Sequence, residues 1–187
     1  MNAMAQVAQR MTADEYLEVP WDGRRTQLVE GEVIPVEPRN LHQVVLLDVL
    51  AALHAWTSES PARGRVSLPL DVKLDTYNVF GPDLMWYAEG RAPARDDDRP
   101  YPLADIAIEV RSPSTWRYDI GAKKAAYERT GLKELWLVDT SADVLLVFRR
   151  SSATSTSFDQ ALELTTEDEL TSPLLPGFVL PLSALFA

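Results

Sequence analysis

The sequence predicts an α/β protein in which one central mixed β-sheet is flanked by helices and preceded by an N-terminal hairpin. Three observations support this prediction. A long amphipathic helix comes before a series of strand-like segments, a strand–helix–strand unit follows them, and a hairpin pattern lies near the N-terminus. The 187 residues fit one domain. We expect it to span residues 11–187, after a flexible segment at residues 1–10.

Composition narrows the classes of protein that fit. The chain has no cysteine, which excludes disulfides and thiolate metal sites and fits a reducing cytoplasm. No stretch approaches the roughly 20 apolar residues that span a bilayer, and the N-terminal residues lack the apolar core of a secretory signal. We therefore expect a cytoplasmic protein without membrane contact.

The net charge of −10 argues against a protein that coats DNA through general positive charge. Any contact with DNA must be confined to a local basic patch. The candidates for such a patch are Arg24, Arg25, Arg117, Lys123 and Lys124.

The first third of the chain contains clear boundary signals. Thr12 and Glu15 form a capping-box pattern for a short helix that ends near Pro20. The hairpin follows, with one arm at Thr26–Val29, a turn at Glu30–Gly31 and a second arm at Glu32–Val36.

A long core helix is predicted next, with Asn40 as its N-cap. Large apolar residues recur along it at helical spacing. They are Leu46, Leu47, Leu50, Leu53 and Trp56.

Three strands are expected after this helix. Apolar residues alternate strictly from Val66 to Leu74, which predicts one continuous strand. A turn at Asn78–Gly81 leads into a strand in PDLMWYA, and the third strand is LADIAIEVRS.

The second half begins with a helix expected over Tyr118–Thr130, closed by Gly131. The strands KELWLVD and DVLLVFRR follow, joined by a turn at Thr140–Ala142. An edge strand is expected at Ala161–Leu164. The apolar C-terminal segment is expected to pack against the core.

Two carboxylates stand out among these elements. Strand residues alternate between faces, so Glu109 and Arg111 share one face of IAIEVRS, opposite an entirely apolar row. Asp83 begins another strand directly after Pro82, a residue that suits a strand edge. If the two strands are neighbours, Asp83 and Glu109 can share one cation.

Magnesium prefers oxygen ligands, commonly one or two carboxylates with waters completing the octahedron. Such an ion activates a water that attacks a phosphodiester, and a nearby cationic side chain stabilises the added charge. Arg111 is one candidate, and Lys123 is the other, because Asp119, Lys123 and Tyr127 follow at four-residue steps on one helix face. Spacing alone also fits a plain surface ion pair at Glu109 and Arg111, with Asp83 as a turn residue.

The segment EVRSPSTWRYDIGAKKAAYERTGLKELWLVD is more specific. It resembles the Uma-type family of restriction endonucleases, which shows a Glu-Val-x-Ser-Pro-Ser-Thr run followed by Asp, Lys and Tyr at four-residue steps. The order of MTADEYLEVPWDGRR, LVEGEV, His42 and Pro82–Asp83 is also family-like, as is the ending LTSPLLPGFVLPLSALF. The resemblance covers nearly the whole chain after residue 10.

The family is similar to the PD-(D/E)XK nucleases, and the resemblance therefore implies a restriction-endonuclease-like fold. It implies that Asp83 and Glu109 bind Mg²⁺ or Mn²⁺, with Arg111 in the usual lysine position and the lysine moved to Lys123. It also implies roles for Glu32 as a third acid and for His42 in orienting a water or phosphate.

One departure concerns the first hairpin arm. Family members often have Tyr-Glu before its leucine, where this chain has Thr26–Gln27. The residue that would support the metal site there is an amide in this protein.

Two functions fit these observations. The first is a Mg²⁺-dependent endonuclease that cleaves DNA, with Arg117 and Lys124 as phosphate contacts. The second is a catalytically silent protein that keeps the nuclease fold for binding or scaffolding, as a homodimer or larger homo-oligomer.

Overall fold

The computed structural model describes residues 10–186. The flexible segment expected at residues 1–10 therefore lies outside the described residues, except for Arg10. The Arg10 guanidinium lies 4.6 Å from the centre of the Tyr77 ring, and its Nε donates a hydrogen bond to the Glu30 carbonyl.

The helical elements are α1 (Ala13–Glu18), α2 (Asn40–Ser58), α3 (Trp116–Tyr118), a π-helical segment (Asp119–Lys123) and α4 (Lys124–Thr130), with 3₁₀ turns at Pro61–Arg63 and Leu182–Ala184. The strands are β1 (Thr26–Val29), β2 (Glu32–Pro35), β3 (Arg65–Ser67), β4 (Val72–Asp75), β5 (Asn78–Phe80), β6 (Leu84–Tyr87), β7 (Ile106–Val110), β8 (Glu134–Asp139), β9 (Val144–Arg149), β10 (Gln160–Leu164), β11 (Glu169–Leu170) and β12 (Leu180–Pro181).

The central sheet has six strands in the order β10-β9-β8-β7-β6-β3. Only β7 and β8 pair in parallel, connected through the helices between them, and the other pairs are antiparallel. A second sheet has the order β2-β1-β5-β4, and β11 pairs with β12. The predicted mixed sheet flanked by helices, with an N-terminal hairpin, is confirmed.

Strand β7 separates two apolar cores. Ile106, Ile108 and Val110 face α2 and the larger core, whereas Ala107 faces the smaller core beneath α4. The predicted alternation of β7 is therefore confirmed, and it places Glu109 on the side of α4.

The C-terminal segment completes the larger core, as predicted. Leu175, Phe178, Leu182 and Leu185 are buried there, and the Phe178 ring stacks on Trp136. The Trp56 indole on α2 donates a hydrogen bond to the Pro176 carbonyl at 3.3 Å. This contact ties the segment to the long helix.

Most predicted boundaries agree with the structure. Thr12 and Glu15 form the expected capping box of α1, and Gly131 caps α4 in the left-handed conformation. The hairpin of β1 and β2, the strands β8 and β9, and the edge strand β10 lie where the sequence indicates.

The single strand expected from Val66 to Leu74 is wrong. The chain leaves the central sheet after β3, passes through Pro69 and enters the second sheet as β4. Proline has no N–H to donate to a ladder, so a strand cannot continue through that position as a central one. The alternation of apolar residues is shared between two sheets.

Three further expectations need correction. Asn78–Phe80 is the strand β5, because the hairpin turn lies earlier, at Thr76–Tyr77, where Asp75 accepts a hydrogen bond from the Tyr77 N–H. Arg39, and not Asn40, is the N-cap of α2, and it makes no side-chain cap. Leu47 is exposed, since Val45 and Val49 occupy the core-facing side of α2.

Within residues 10–186 no helix combines the length and the apolarity that crossing a membrane requires.

Two glycines with positive φ provide a test of the fold. A Cβ at Gly64 would lie 2.0 Å from the Tyr87 carbonyl oxygen of β6, whereas a Cβ at Gly131 would meet no atom within 4 Å. We expect Gly131→Ala to destabilise the fold by about 1 kcal/mol through backbone strain alone. Gly64→Ala should cost more than about 3 kcal/mol, because the clash adds to the strain of a φ of 72° and a ψ of −150°. Urea unfolding measures both values, and equal losses would contradict this packing.

Candidate functional site

Asp83 and Glu109 lie next to each other at the ends of two neighbouring strands. In the antiparallel ladder of β6 and β7, Leu84 pairs with Ile108 and Met85 pairs with Ala107. One step further, the same register sets Asp83 opposite Glu109. Both residues are buried. The condition set by the sequence for a shared cation, that the two strands are neighbours, is met.

Asp83 is held by three groups from different parts of the chain. Its Oδ2 accepts a hydrogen bond from the Val110 N–H at 2.9 Å and lies 3.0 Å from Nε2 of His42, near the start of α2. Its Oδ1 lies 3.5 Å from Nη1 of Arg25. Burial raises the pKa of Asp83, but these three partners outweigh it and hold the pKa below its ordinary value. Asp83 is therefore an anion.

Glu109 faces the helical segment that follows β7. Its Oε1 lies 2.7 Å from the Lys123 ammonium and accepts a hydrogen bond from the Tyr127 hydroxyl at 2.8 Å. The same ammonium lies 2.8 Å from Oδ1 of Asp119. All four side chains are buried, so the predicted shared face of Asp119, Lys123 and Tyr127 is directed at Glu109.

The backbone between Asp119 and Lys123 is a π-helix. This widened turn separates the short helix α3 from α4, and both its first and last residues are buried. Such segments are rare and often mark functional sites. Here the π-helix directs a carboxylate and an ammonium toward the same strand residue.

The electrostatics of this group follow from its burial. Desolvation raises the pKa of Glu109 to about 7, against the opposing effect of the Lys123 charge and with added repulsion from Asp119 and Asp83. Burial alone would lower the pKa of Lys123, but Asp119 and Glu109 outweigh it and raise the pKa above its ordinary value. Lys123 is therefore a permanent cation near neutral pH, and it cannot serve as a base.

Each site carboxylate keeps one oxygen available. Among the described residues, Oε2 of Glu109 and Oδ1 of Asp83 accept no hydrogen bond, although Arg25 stands 3.5 Å from the latter. The buried Gln27 amide donates to the Gly81 carbonyl at 3.4 Å, the same carbonyl that Arg25 contacts, and Gln27 lines a small pocket together with Lys123. Its own Oε1 has no hydrogen-bond partner in the described part of the chain. Three oxygens of the kinds that magnesium prefers thus lack a strong protein donor.

The structure places the other predicted site residues away from this pair. Nη1 of Arg111 donates to both oxygens of Asp139, at 2.7 and 2.9 Å, and the guanidinium lies over the Trp116 ring. Glu32 is exposed on β2. Lys124 lies 4.5 Å from the centre of the Phe148 ring.

Arg117 is exposed, and its Nη2 donates to the Tyr118 hydroxyl. Of the predicted basic residues, Arg25 and Lys123 are the two that reach the carboxylates.

No cluster of three or more His, Cys, Asp or Glu side chains suited to a metal occurs among residues 10–186. The site offers two carboxylates, and the histidine beside them is already bound to Asp83 through Nε2. Oxygen ligands from Gln27 and water would have to complete any octahedron.

Sequence reasoning overlooked parts of this site. Asp119 and Tyr127 were placed on the correct face without a role, and their four-residue spacing from Lys123 was the available signal. Arg25 was assigned only to a surface patch, and Gln27 was noted only as a departure. Arg25 and Gln27 reach the site through contacts with Gly81, 56 and 54 residues away in sequence, a separation that local patterns do not reveal.

The fold and the carboxylate pair define the class of the protein, a restriction-endonuclease-like α/β protein. The crystal structure of a "putative nuclease belonging to DUF820" from Anabaena variabilis is similar, with a TM-score of 0.78 and 18% identity. The match covers 94% of this chain and 97% of the other. At that identity the likeness establishes the fold.

The chain belongs to the Uma2 family, described as "Putative restriction endonuclease", which matches residues 13–183. The family resemblance predicted from the sequence is thereby confirmed. A comparison with curated proteins gives no match.

The two carboxylates should differ in their contribution to stability. Near neutral pH and in chelator, we expect Asp83→Asn to lower the free energy of unfolding by about 1.5–3 kcal/mol, because it weakens charge-assisted hydrogen bonds. Glu109→Gln should cost less than Asp83→Asn, since Asp119 still compensates the Lys123 charge and burial penalises the ionised form of Glu109. Urea denaturation of the two variants checks this order, and a larger loss for Glu109→Gln would reverse the assignment.

Proposed function

We propose that this protein is a Mg²⁺-dependent endonuclease that hydrolyses DNA phosphodiester bonds. The observation that carries the proposal is the adjacency of Asp83 and Glu109, with one oxygen of each carboxylate free of hydrogen bonds from the described residues. Membership of a restriction-endonuclease family supports the reaction class. The metal preference, the DNA substrate and the cytoplasmic location stay predictions.

The residues present fit a divalent cation. Asp83, Glu109 and the Gln27 amide oxygen would hold it, with waters as the remaining ligands. A bound ion would supply a Lewis acid that polarises a phosphoryl oxygen and lowers the pKa of water, so that water gives its proton to solvent and hydroxide displaces the 3′ or 5′ oxygen from phosphorus. Without a cation, burial and carboxylate repulsion keep the pKa of Glu109 high, which is the electrostatic condition that a bound cation relieves.

The surrounding side chains have separate tasks in this proposal. Tyr127 fixes the orientation of Glu109, and His42 with the Val110 N–H fixes Asp83. Lys123, as a buried cation, stabilises negative charge on the phosphate during attack. Arg25 is placed to contact a neighbouring phosphate oxygen, since it makes only a long contact with Asp83.

The proposal is tested by metal-dependent nicking of supercoiled plasmid. We expect the native protein to nick DNA with Mg²⁺ or Mn²⁺ and to stop when chelator is added. Glu109→Gln should lower the rate at least about 10²-fold, because it removes a charged metal ligand. Isothermal titration with Mn²⁺ should show the matching loss of affinity.

Glu163→Gln is the matched control, since Glu163 is exposed on the edge strand β10. It should nick like the native protein. If a folded native protein cleaves neither plasmid nor single-stranded DNA with either metal, the endonuclease proposal fails.

Two adjacent lysines separate a role at the site from a general effect of charge. Lys123 contacts Glu109 and Asp119, whereas Lys124 lies over Phe148. We expect Lys123→Gln to reduce nicking about 10²–10³-fold and Lys124→Gln to reduce it less than about threefold. Circular dichroism and Mn²⁺ titration on both variants show whether the folded fraction and the metal site persist. Equal losses in the two variants would remove Lys123 from the reaction.

A second function, a silent nuclease-fold scaffold, is favoured by one set of contacts. Both carboxylates already face protein cations, and Arg111, in the usual lysine position, is committed to Asp139. The exposed apolar residues Leu41, Val44 and Leu47 on α2 suit a homo-oligomer. Failure to cleave, together with metal-independent self-association, would select this function.

A further inference from the structure

A groove of about 340 Å³ lies next to the carboxylate site, between the loop that follows α1 and the hairpin. Its volume falls within the range of small-ligand sites, roughly 300–1,000 Å³. The residues that line it include Trp21, Asp22, Arg24, Arg25, Asp71 and Arg99. The metal-site proposal does not use this groove.

Trp21 is the most exposed of the five tryptophans in the chain. It is 71% exposed, whereas Trp56, Trp86 and Trp136 are buried and Trp116 is half-buried. Trp21 takes part in no aromatic pair within the described residues. An open indole face of this kind is a stacking platform for a planar ring.

The charges of the groove favour a phosphate near the tryptophan. Asp71 is paired with Arg99 at 3.1 Å, so its carboxylate is compensated. Arg24 has only a 3.8 Å contact with Asp22, and its side chain is 83% exposed. A weak, solvated pair of this length leaves the Arg24 guanidinium free to bind an anion.

Arg25 connects the groove to the carboxylate site. It lines the groove, and the same guanidinium donates from Nη2 to the Gly81 carbonyl and stands 3.5 Å from Oδ1 of Asp83. Arg25 is therefore shared by the groove and the carboxylate site. No other described pocket shares a residue that contacts Asp83.

We propose that this groove binds one unpaired nucleotide of a DNA strand, with the base on the Trp21 indole and its phosphate on Arg24. A base inside a duplex has both faces covered by its neighbours, so only an unstacked base can offer a face to the indole. The protein would then prefer single strands, frayed ends or junctions over continuous duplex. The further step, that the adjacent phosphodiester is the one cleaved, rests on the proposed endonuclease function.

The test uses the full-length protein in chelator, so that no cleavage occurs. Fluorescence anisotropy follows a labelled deoxythymidine oligonucleotide of roughly 12 nucleotides at low salt. We expect it to bind at least about tenfold more tightly than a blunt duplex of the same length. Trp21→Ala should weaken single-strand binding about 10–100-fold, and Trp21→Phe should keep most of it, because a stacked base is worth roughly 1–3 kcal/mol.

One control variant and one further test variant accompany this comparison. Leu162→Ala removes an exposed apolar side chain from β10 and should leave affinity unchanged. Arg24→Gln should weaken binding. It should also lower the slope of log affinity against log salt concentration by about the amount that corresponds to one phosphate contact. Both Trp21 and Arg24 are exposed, so their variants should fold like the native protein.

Several results would overturn the groove proposal. These are absence of single-strand binding, equal affinity for the duplex, or equal binding by the native protein and Trp21→Ala. A shift from dimer to monomer by Trp21→Ala in sedimentation velocity, without a change in affinity, would instead make the groove a contact between copies of the chain.

The groove and the endonuclease can fail separately. Single-strand binding that depends on Trp21, without plasmid nicking in the presence of Mg²⁺ or Mn²⁺, supports the groove proposal and removes the endonuclease proposal. Nicking that depends on Glu109, together with single-strand binding that does not depend on Trp21, keeps the endonuclease proposal and removes the groove proposal.

Discussion

Burying two carboxylates side by side carries a large desolvation penalty, and much of the structure around β6 and β7 offsets it. The register of the two strands sets Asp83 opposite Glu109. Cationic and hydrogen-bonding groups then arrive from five separate elements: the loop before β1, the start of α2, the strand β7 itself, the π-helix and α4. The position of each of these elements is therefore determined partly by its contact with the Asp83 or Glu109 carboxylate. The hairpin, the long helix and the helix after β7 all approach this pair.

The site was predictable from sequence where local periodicity decides geometry. The alternation of Ile106–Val110 placed Glu109 on the side opposite the apolar row, and the four-residue steps to Lys123 placed a cation on the facing helix. Periodicity gave a wrong strand around Pro69, where one alternating pattern covers strands of two sheets. Alternation shows which residues share a face of a strand, but not which sheet the strand belongs to. It also could not reveal Arg25 or Gln27, whose approach to Gly81 depends on the pairing of β1 with β5, two strands far apart in the chain.

These contacts show how the acidic composition affects the charge near the site. Several of the cations nearest the centre of the molecule are neutralised internally, Arg111 by Asp139 and Lys123 by two carboxylates. A bound divalent ion would therefore supply much of the positive potential that a polyanion meets at this site. In the proposed endonuclease, binding of a phosphate at the carboxylate site would depend on metal occupancy, which makes the net charge of −10 compatible with a nucleic-acid substrate.

The packing of the C-terminal segment bears on how the protein is made. Leu175, Phe178 and Leu182 complete the core beneath β7 and β8, yet they follow both strands in the chain and leave the ribosome after them. Until they emerge, the apolar face of those strands lacks part of its cover, and the strands that carry the carboxylates cannot reach their final stability. A chain truncated before Leu175 would thus retain every residue of the carboxylate site in its sequence and still lack the packing that supports it. Synthesis of the site residues alone is therefore not enough to assemble the site.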